Sequence, residues 1–238
     1  MILTSMSQLK EIDELAYLSQ QTLLGEKNHA KLRNSKVTIV GAGGTGSFAA
    51  NLLAKLGVAV RVIDPDFIDP TNLSRQNLYS YHSVGNSKVQ ELKKQLLQLN
   101  PLLSIQVIEE KLDESNAKIL LKDSDIVLDC SDNYEARNAI DTYCYPKKIP
   151  WVYCAAIKNE LMLSTFLKGA SLSFAKVFPK PTQCLSCSTE GVIVTTVSTA
   201  ASLAVQETVN TLLGKSQLAG KILKVNLSEM QFKTFELT

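Results

Sequence analysis

Short apolar runs alternate along much of the chain with longer segments whose apolar residues recur at helical spacing. The apolar runs predict strands over Lys36–Val40, Val58–Asp64, Ser104–Ile108, Ser124–Asp129 and Trp151–Ala156. The segments between them predict helices over Ser47–Leu56, Ser87–Leu99, Ser115–Leu121 and Asn133–Tyr145. Strands that alternate with helices pair in parallel through right-handed crossovers. The predicted fold class is therefore α/β and Rossmann-like, with helices on both faces of a mostly parallel sheet.

The pattern changes after residue 160. A further strand is predicted at Leu161–Phe166, a loop at 168–191, a long apolar helix at Val192–Leu213, and a hairpin from Ile222–Leu227 and Gln231–Leu237. These elements predict an antiparallel C-terminal extension. The chain is accordingly predicted to be one domain over 1–238, with a helical preface at 6–33, a core at 34–156 and the extension at 157–238.

Composition narrows the class of protein. The 238 residues are 45% hydrophobic and 20% charged, with a formal net charge of +2, which is typical of a globular protein. The charge does not favour a nucleic acid or a membrane as partner. No apolar run reaches the roughly 18 residues that span a bilayer, and no signal peptide is recognised at the start. The odd number of cysteines, five, is typical of reduced thiols. These features predict a cytoplasmic location.

A glycine-rich segment, GAGGTGS at 41–47, lies where a predicted strand ends and a helix begins. Glycines let the backbone approach a phosphate closely, and the helix start offers unpaired N–H groups. Asp64 ends the next predicted strand, where a carboxylate can hold a ribose hydroxyl. Together they predict a nucleotide site in the core. A glycine turn that serves only helix packing is the alternative, and the same features also fit an NAD-dependent dehydrogenase.

The polar segment after Asp64, DPDFIDPTNLSRQ at 64–76, argues against hydride transfer. Arg75 can clamp phosphate oxygens with two hydrogen bonds. Lys88 opens the following helix, where its charge could reach the same phosphates. An enzyme that cleaves a triphosphate uses such cations, whereas a dehydrogenase does not need them here. For either residue taken singly, a solvated surface charge is the favoured interpretation.

Four motifs in order resemble the ThiF/MoeB/HesA family, the prokaryotic relatives of ubiquitin-activating enzymes. They are GAGGTGS at 41–47, VIDPDFIDPTNLSRQNLY at 62–79, VGNSKV at 84–89 and LDCSDNYEARNAI at 128–140. The resemblance covers essentially the whole chain. It implies an adenylyltransferase that uses ATP to activate the C-terminal glycine carboxylate of a small ubiquitin-like, ThiS/MoaD-like protein ending in Gly-Gly. Pyrophosphate is released, and the product serves sulfur transfer or conjugation.

The resemblance also implies roles for single residues, with ATP and Mg²⁺ as cofactors. The implied ATP-binding residues are Gly41, Gly43, Gly44, Gly46, Asp64, Asp66, Asn72, Arg75, Gln76, Lys88, Asp132 and Asn133. Among these, Gly43 would contact the adenosine and Asp64 the ribose. Arg75, Lys88 and Asp132 would be catalytic, with Asp132 also binding Mg²⁺. Asp132 has an alternative interpretation as a helix N-cap, because it lies just before a helical segment.

The N-terminal segment departs from the family pattern. Where the family has RYxRQ, with an arginine that reaches the partner subunit's ATP, this chain has AYLSQ at 16–20. Lys27, Lys31 or Arg33 could replace that arginine. A homodimer is expected from the family, and a heterodimer whose other subunit supplies the arginine is the alternative.

Two cysteines form half of a metal motif. Cys184 and Cys187 are spaced as CxxC, whereas a tetrahedral zinc site needs four ligands, so zinc is not favoured. Cys187 also lies four residues before Gly191-Val192, a spacing found around family cysteines that form a thioester or persulfide. Cys187 is thus interpreted as a reactive cysteine, as the remnant of a metal pair, or as an inert loop residue.

Three other functions stay open from sequence. A family member could adenylate a tRNA nucleoside or a peptide instead of a protein. The chain could also be the partner-dependent or non-catalytic subunit of a heterodimeric activating enzyme, although a scaffold needs neither Arg75, Lys88 nor Asp132. The dehydrogenase rests on the glycine loop and Asp64 alone.

Overall fold

One sheet organises the computed structural model, which describes residues 5–179 and 190–237. Its strands within those ranges are β1 Lys36–Val40, β2 Ala59–Ile63, β3 Ile105–Ile108, β4 Ile126–Asp129, β5 Trp151–Ile157, β6 Glu160–Phe166, β7 Lys221–Asn226 and β8 Gln231–Glu236. Their order across the sheet is β3-β2-β1-β4-β5-β6-β7-β8. Each predicted strand is present, with ends shifted by at most two residues.

The sheet has a parallel half and an antiparallel half. The strands from β3 to β5 pair in parallel, whereas β6, β7 and β8 continue the sheet as antiparallel neighbours. The chain moves outward in one direction from β1 to β3 and then returns to β4 on the other side of β1. Ligands of such sheets bind at this reversal, beyond the carboxyl ends of the strands.

Helices cover both faces, which confirms the predicted fold class. They are α1 Met6–Ala16, α2 Leu18–Leu24, α3 Glu26–Arg33, α4 Gly44–Lys55, α5 Lys88–Leu99, α6 Ala117–Leu120, α7 Tyr134–Lys147, α8 Phe174–Val177 and α9 Val194–Leu212. The predicted preface is thus three helices. Helix α4 starts three residues before the predicted boundary, and α9 starts two residues after it. None of the helices described here is both long and apolar enough to cross a membrane.

Two apolar cores lie on opposite faces of the sheet. On one face, α9 packs on α4 and β5 through buried small residues that include Ala49, Ala200 and Ala204. The other face holds an aromatic cluster in which the rings of Trp151 and Phe166 stack at 4.6 Å. Phe174 of α8 joins this cluster, which explains a short helix in a stretch predicted to be loop. Helix α9 is therefore part of the apolar core of the chain.

A buried carboxylate connects α9 to the antiparallel half of the sheet. Glu207 is 3% exposed. It accepts hydrogen bonds from the Thr165 hydroxyl at 2.9 Å, the Ser216 hydroxyl at 2.6 Å and the backbone N–H of Leu218 at 3.0 Å. The Gln217 N–H donates to the same carboxylate at 3.0 Å. A buried charge is tolerated when such donors satisfy it.

Candidate active site

A cavity of about 600 Å³ opens at the carboxyl ends of β1, β2 and β4, where the strand order reverses. Eleven of the twelve residues predicted to bind ATP line it: Gly41, Gly43, Gly44, Asp64, Asp66, Asn72, Arg75, Gln76, Lys88, Asp132 and Asn133. Gly46 is the exception. The structure therefore brings four separate sequence motifs to one cleft.

The glycine loop is as tight as its sequence suggests. Gly41 has φ +96°, and a Cβ there would lie 2.6 Å from the carbonyl oxygen of Cys130. A Cβ on Gly46 would lie only 1.9 Å from the carbonyl oxygen of Gly41. Gly46 is thus required by the turn itself, and it does not line the cleft. A Cβ on Gly43 would meet only the Gln76 amide nitrogen, 3.9 Å away.

The Asp64 carboxylate is hydrogen-bonded to the backbone of the glycine loop. It accepts the backbone N–H of Ala42 at 2.6 Å and that of Asp66 at 2.8 Å. On the other side of the loop, the Tyr79 hydroxyl donates to the Ala42 carbonyl at 2.7 Å. Burial raises the pKa of Asp64, and nearby Lys88 and the two N–H groups oppose the rise. Asp64 has a structural task here beside the predicted ribose contact.

Lys88 is a cation of the cleft that is largely buried. Its side chain is 8% exposed, and its Nζ lies 2.8 Å from Oδ2 of Asp66, which is 62% exposed. The Lys88 N–H donates to the Asp66 carbonyl at 3.0 Å, and Ile68 and Asn86 share a further backbone hydrogen bond at 2.9 Å. These bonds join the start of α5 to the loop after β2 and hold the ammonium group in place.

Arg75 and Gln76 follow a short 3-10 turn at Pro70–Asn72. Arg75 Nη1 donates to the Thr71 carbonyl at 2.7 Å, which uses one of the five N–H groups of a guanidinium. Asn72 accepts the Asp69 N–H through its amide oxygen. Gln76 is 5% exposed, and its Oε1 is buried with no hydrogen-bond partner within the described residues. Among the residues that the structure describes, the bond to Thr71 is the one hydrogen bond of the Arg75 side chain, so its other N–H groups are available at the cleft.

Asn133, and not Asp132, is the residue that caps the helix after β4. Asn133 is the N-cap of α7, because its Oδ1 accepts the Ala136 N–H at 2.9 Å. The interpretation of Asp132 as the N-cap is therefore wrong. Asp132 is exposed at the rim of the cavity, so its carboxylate can face a ligand.

The cleft also contains a buried ion pair that sequence reasoning missed. Arg137 Nε lies 3.0 Å from Oδ2 of Asp129, whose side chain is fully buried at the end of β4. The guanidinium lies over the Tyr153 ring, 4.9 Å from its centroid. Burial raises the pKa of Asp129, whereas Arg137 opposes the rise. A charged residue at the end of an apolar strand, followed by an arginine eight positions later, was the available signal.

The cysteines fall into two groups. Cys184 and Cys187 lie outside the described residues, so their interpretations stay predictions. Cys130, Cys144 and Cys154 are free thiols. Burial raises the pKa of all three, that of Cys144 to about 12, so these thiols are poor nucleophiles. Within the described ranges, no cluster of three or more potential metal ligands is found.

The three candidates for the missing N-terminal arginine lie on α3. Lys27 and Lys31 are exposed. Arg33 forms an ion pair with Asp13 at 2.6 Å and lies over the Tyr17 ring. Of the three, Arg33 is thus already engaged within its own chain.

The fold and the cleft define the class of protein: a Rossmann-like α/β protein with a glycine loop at the reversal point of its sheet. A model of the ThiF family matches residues 17–238, and the chain therefore belongs to the ThiF family. The molybdopterin-synthase adenylyltransferase of Escherichia coli strain K12 is 31% identical over 98% of this chain and 96% of its own. The enzyme of that name from Haemophilus influenzae is 33% identical over 98% of each chain. The predicted family and enzyme class, adenylyltransferase, are confirmed.

Two further similarities cover only part of the other protein. The adenylyltransferase and sulfurtransferase MOCS3 of Drosophila virilis is 32% identical over 94% of this chain, which spans 52% of that protein. Among solved structures, Escherichia coli MccB with ATP has a TM-score of 0.78 at 21% identity. That match covers 88% of this chain and 66% of MccB. At this identity the similarity shows the fold alone.

Replacement of Gly43 by alanine tests how closely a nucleotide approaches the glycine loop. The methyl group meets only open space and the Gln76 amide, so the melting temperature of the free protein should fall only by the small cost of alanine at the N-cap of α4. A phosphate that contacts the Gly43 backbone would be pushed away. Affinity for a non-hydrolysable ATP analogue, measured by calorimetry, should fall about tenfold, the equivalent of one hydrogen bond. Unchanged affinity would place the nucleotide elsewhere in the cleft.

Proposed function

We propose that this protein activates the C-terminal carboxylate of a small ubiquitin-like protein by adenylation with ATP. The observation that carries the proposal is the convergence of the glycine loop, Arg75, Lys88 and Asp132 on one cavity. The relatives named adenylyltransferases, which match nearly the whole chain, support the same activity. The relatives named for molybdopterin synthase favour a small protein as substrate.

The reaction needs charge neutralisation and alignment more than a side-chain nucleophile. An oxygen of the substrate carboxylate attacks the α-phosphorus of ATP. The bond to the bridging oxygen breaks, and pyrophosphate leaves with the electron pair. Lys88 and Arg75 would neutralise the charge that develops on the departing phosphates, and the glycine loop would hold the nucleotide in line.

Asp132 is the residue that fits a magnesium ion. Mg²⁺ in nucleotide enzymes is bound by one or two carboxylates together with substrate phosphates and water. An exposed carboxylate at the cavity rim suits that arrangement, although it would not suffice as an all-protein site. When bound, Mg²⁺ would neutralise phosphate oxygens. Asp132 would hold it at the side of the cleft that faces solvent.

ATP–pyrophosphate exchange tests the proposal. Purified protein is incubated with labelled pyrophosphate, ATP and one candidate substrate: a ThiS/MoaD-like protein ending in Gly-Gly, the same protein lacking both glycines, a short peptide, or tRNA. Exchange is expected with the intact small protein only. Exchange with the peptide or the tRNA would move the substrate class to that candidate. The truncated protein is the matched control, because it differs only by the two glycines that carry the carboxylate into the cleft.

Subunit composition is part of the same proposal. We expect a homodimer, in which α3 of one subunit would supply a cation to the other subunit's ATP. Lys27 and Lys31 are its exposed candidates. Full exchange activity by the purified chain alone would support this assembly. Activity that appears only after a second gene product is added would support the heterodimer.

A further inference from the structure

The turn between β4 and α7 is held by a network that centres on Arg137. Arg137 Nε donates to Asp129 at 3.0 Å, and its Nη2 donates to the carbonyl oxygen of Ser131 at 2.7 Å. Asp129 in turn accepts the N–H of Ser131 at 2.9 Å and its hydroxyl at 2.5 Å. The N–H, the hydroxyl and the carbonyl of Ser131 are therefore all hydrogen-bonded to the Asp129–Arg137 ion pair.

This network fixes the backbone on the N-terminal side of Asp132. The Ser131 carbonyl belongs to the peptide bond that leads into Asp132, so Arg137 sets the orientation of that peptide plane. On the other side, Asn133 is fixed as the N-cap of α7. Asp132 thus lies between two anchored residues although its own side chain is exposed.

We propose that Arg137 is a positioning residue that holds the Ser131–Asp132 peptide so that Asp132 faces the magnesium–nucleotide complex. The inference rests on the proposed function, because it assigns Arg137 a role through Asp132. The planar fork of arginine suits this task, since it reaches a carboxylate and a carbonyl at once. The guanidinium group also lies over the Tyr153 ring, which restricts its orientation.

The R137K variant distinguishes the effect of the positive charge at this position from the effect of the planar guanidinium group. R137K keeps a cation beside Asp129, so the buried carboxylate stays neutralised, but a single ammonium group cannot reproduce the fork. The turn is expected to loosen while the fold persists. Removal of the charge altogether would leave Asp129 buried and unpaired, and loss of folding would then obscure the result.

The experiment measures the affinity of a non-hydrolysable ATP analogue by calorimetry, in excess Mg²⁺ and in EDTA. The ratio of the two dissociation constants is the magnesium increment. R137K should reduce this increment about tenfold, as loss of a residue that orients a metal ligand typically does, and leave the affinity in EDTA unchanged. D132A should abolish the increment. The double variant should equal D132A alone, because residues that act through one another are not additive.

Arg61 supplies the matched control. Arg61 is 6% exposed, and the Arg137 side chain is 16% exposed. Arg61 Nη1 donates to the carbonyls of Leu120 and Lys122, outside the cavity lining. R61K should leave the increment at its wild-type value. Thermal melting of all variants checks the fold.

Three results would overturn the inference alone: a wild-type increment in R137K, an equal loss of affinity in EDTA and in Mg²⁺, or additive effects in the double variant. Absence of analogue binding, or of any increment, in the wild-type protein would instead overturn the proposed site and with it this inference.

Discussion

Replacement of Lys88 by methionine is expected to lower ATP–pyrophosphate exchange about 100- to 1,000-fold, the usual cost of removing one group that stabilises developing negative charge. The Lys88 side chain is only 8% exposed, which makes its interaction with phosphate stronger than that of a surface lysine. Methionine keeps the length and apolar stem of the side chain but removes the charge. The rate should therefore fall more than the affinity for ATP.

The fold should survive this change. Asp66, the present partner of Lys88, is 62% exposed, so water can solvate its charge when the lysine is gone. Lys94, on the same helix, supplies the control: its side chain is 63% exposed and pairs with Glu91. K94M should exchange at the wild-type rate. A K88M protein with nearly wild-type exchange would contradict the assignment of Lys88 to the pyrophosphate side of the cleft.

Replacement of Glu207 by alanine should lower the free energy of unfolding by about 2–4 kcal/mol, because it leaves buried donors unpaired. The Thr165 hydroxyl and the Leu218 N–H are the two that burial keeps from water. Both donate to Oε1 of Glu207. Glutamine can keep an oxygen at that position, so E207Q should cost less than E207A. Urea unfolding measures both.

Glu229 provides the comparison for this prediction. It is exposed, near the turn between β7 and β8, so E229A should change the free energy of unfolding by no more than about 0.5 kcal/mol. Equal midpoints for E207A and E229A would show that the hydrogen bonds of Glu207 add nothing to stability. A change in the slope of the urea dependence would point to a changed denatured state instead.

The inner strands β1, β2 and β4 of the parallel half were predictable because both of their faces are buried. Such strands are mainly apolar, and β1, β2 and β4 have that form, with Thr38 and Arg61 as the polar residues inside the first two. The residues of the cleft were predictable for a different reason. Phosphate chemistry restricts the residue types in the loops after the strands, and the parallel topology brings those loops to one edge of the sheet.

Features that depend on distant partners were not predictable. Phe174 forms α8 because it joins an aromatic cluster built from β5 and β6. Glu207 meets its donors from β6 and from the segment after α9 only when the sheet is assembled. In a linear pattern, the first resembles a loop residue and the second a solvated charge on a helix.

The sequence by itself determined the α/β class, the family and eleven of the residues that line the cleft, because apolar runs, glycines and phosphate-binding side chains are local features. Only the tertiary structure decided what each of those residues is bound to. The tertiary structure pairs Lys88 with Asp66 and makes Asn133 rather than Asp132 the cap of α7. It also bonds Arg137 to the turn that carries Asp132. These pairings depend on distance in the folded chain, which the order of residues does not contain.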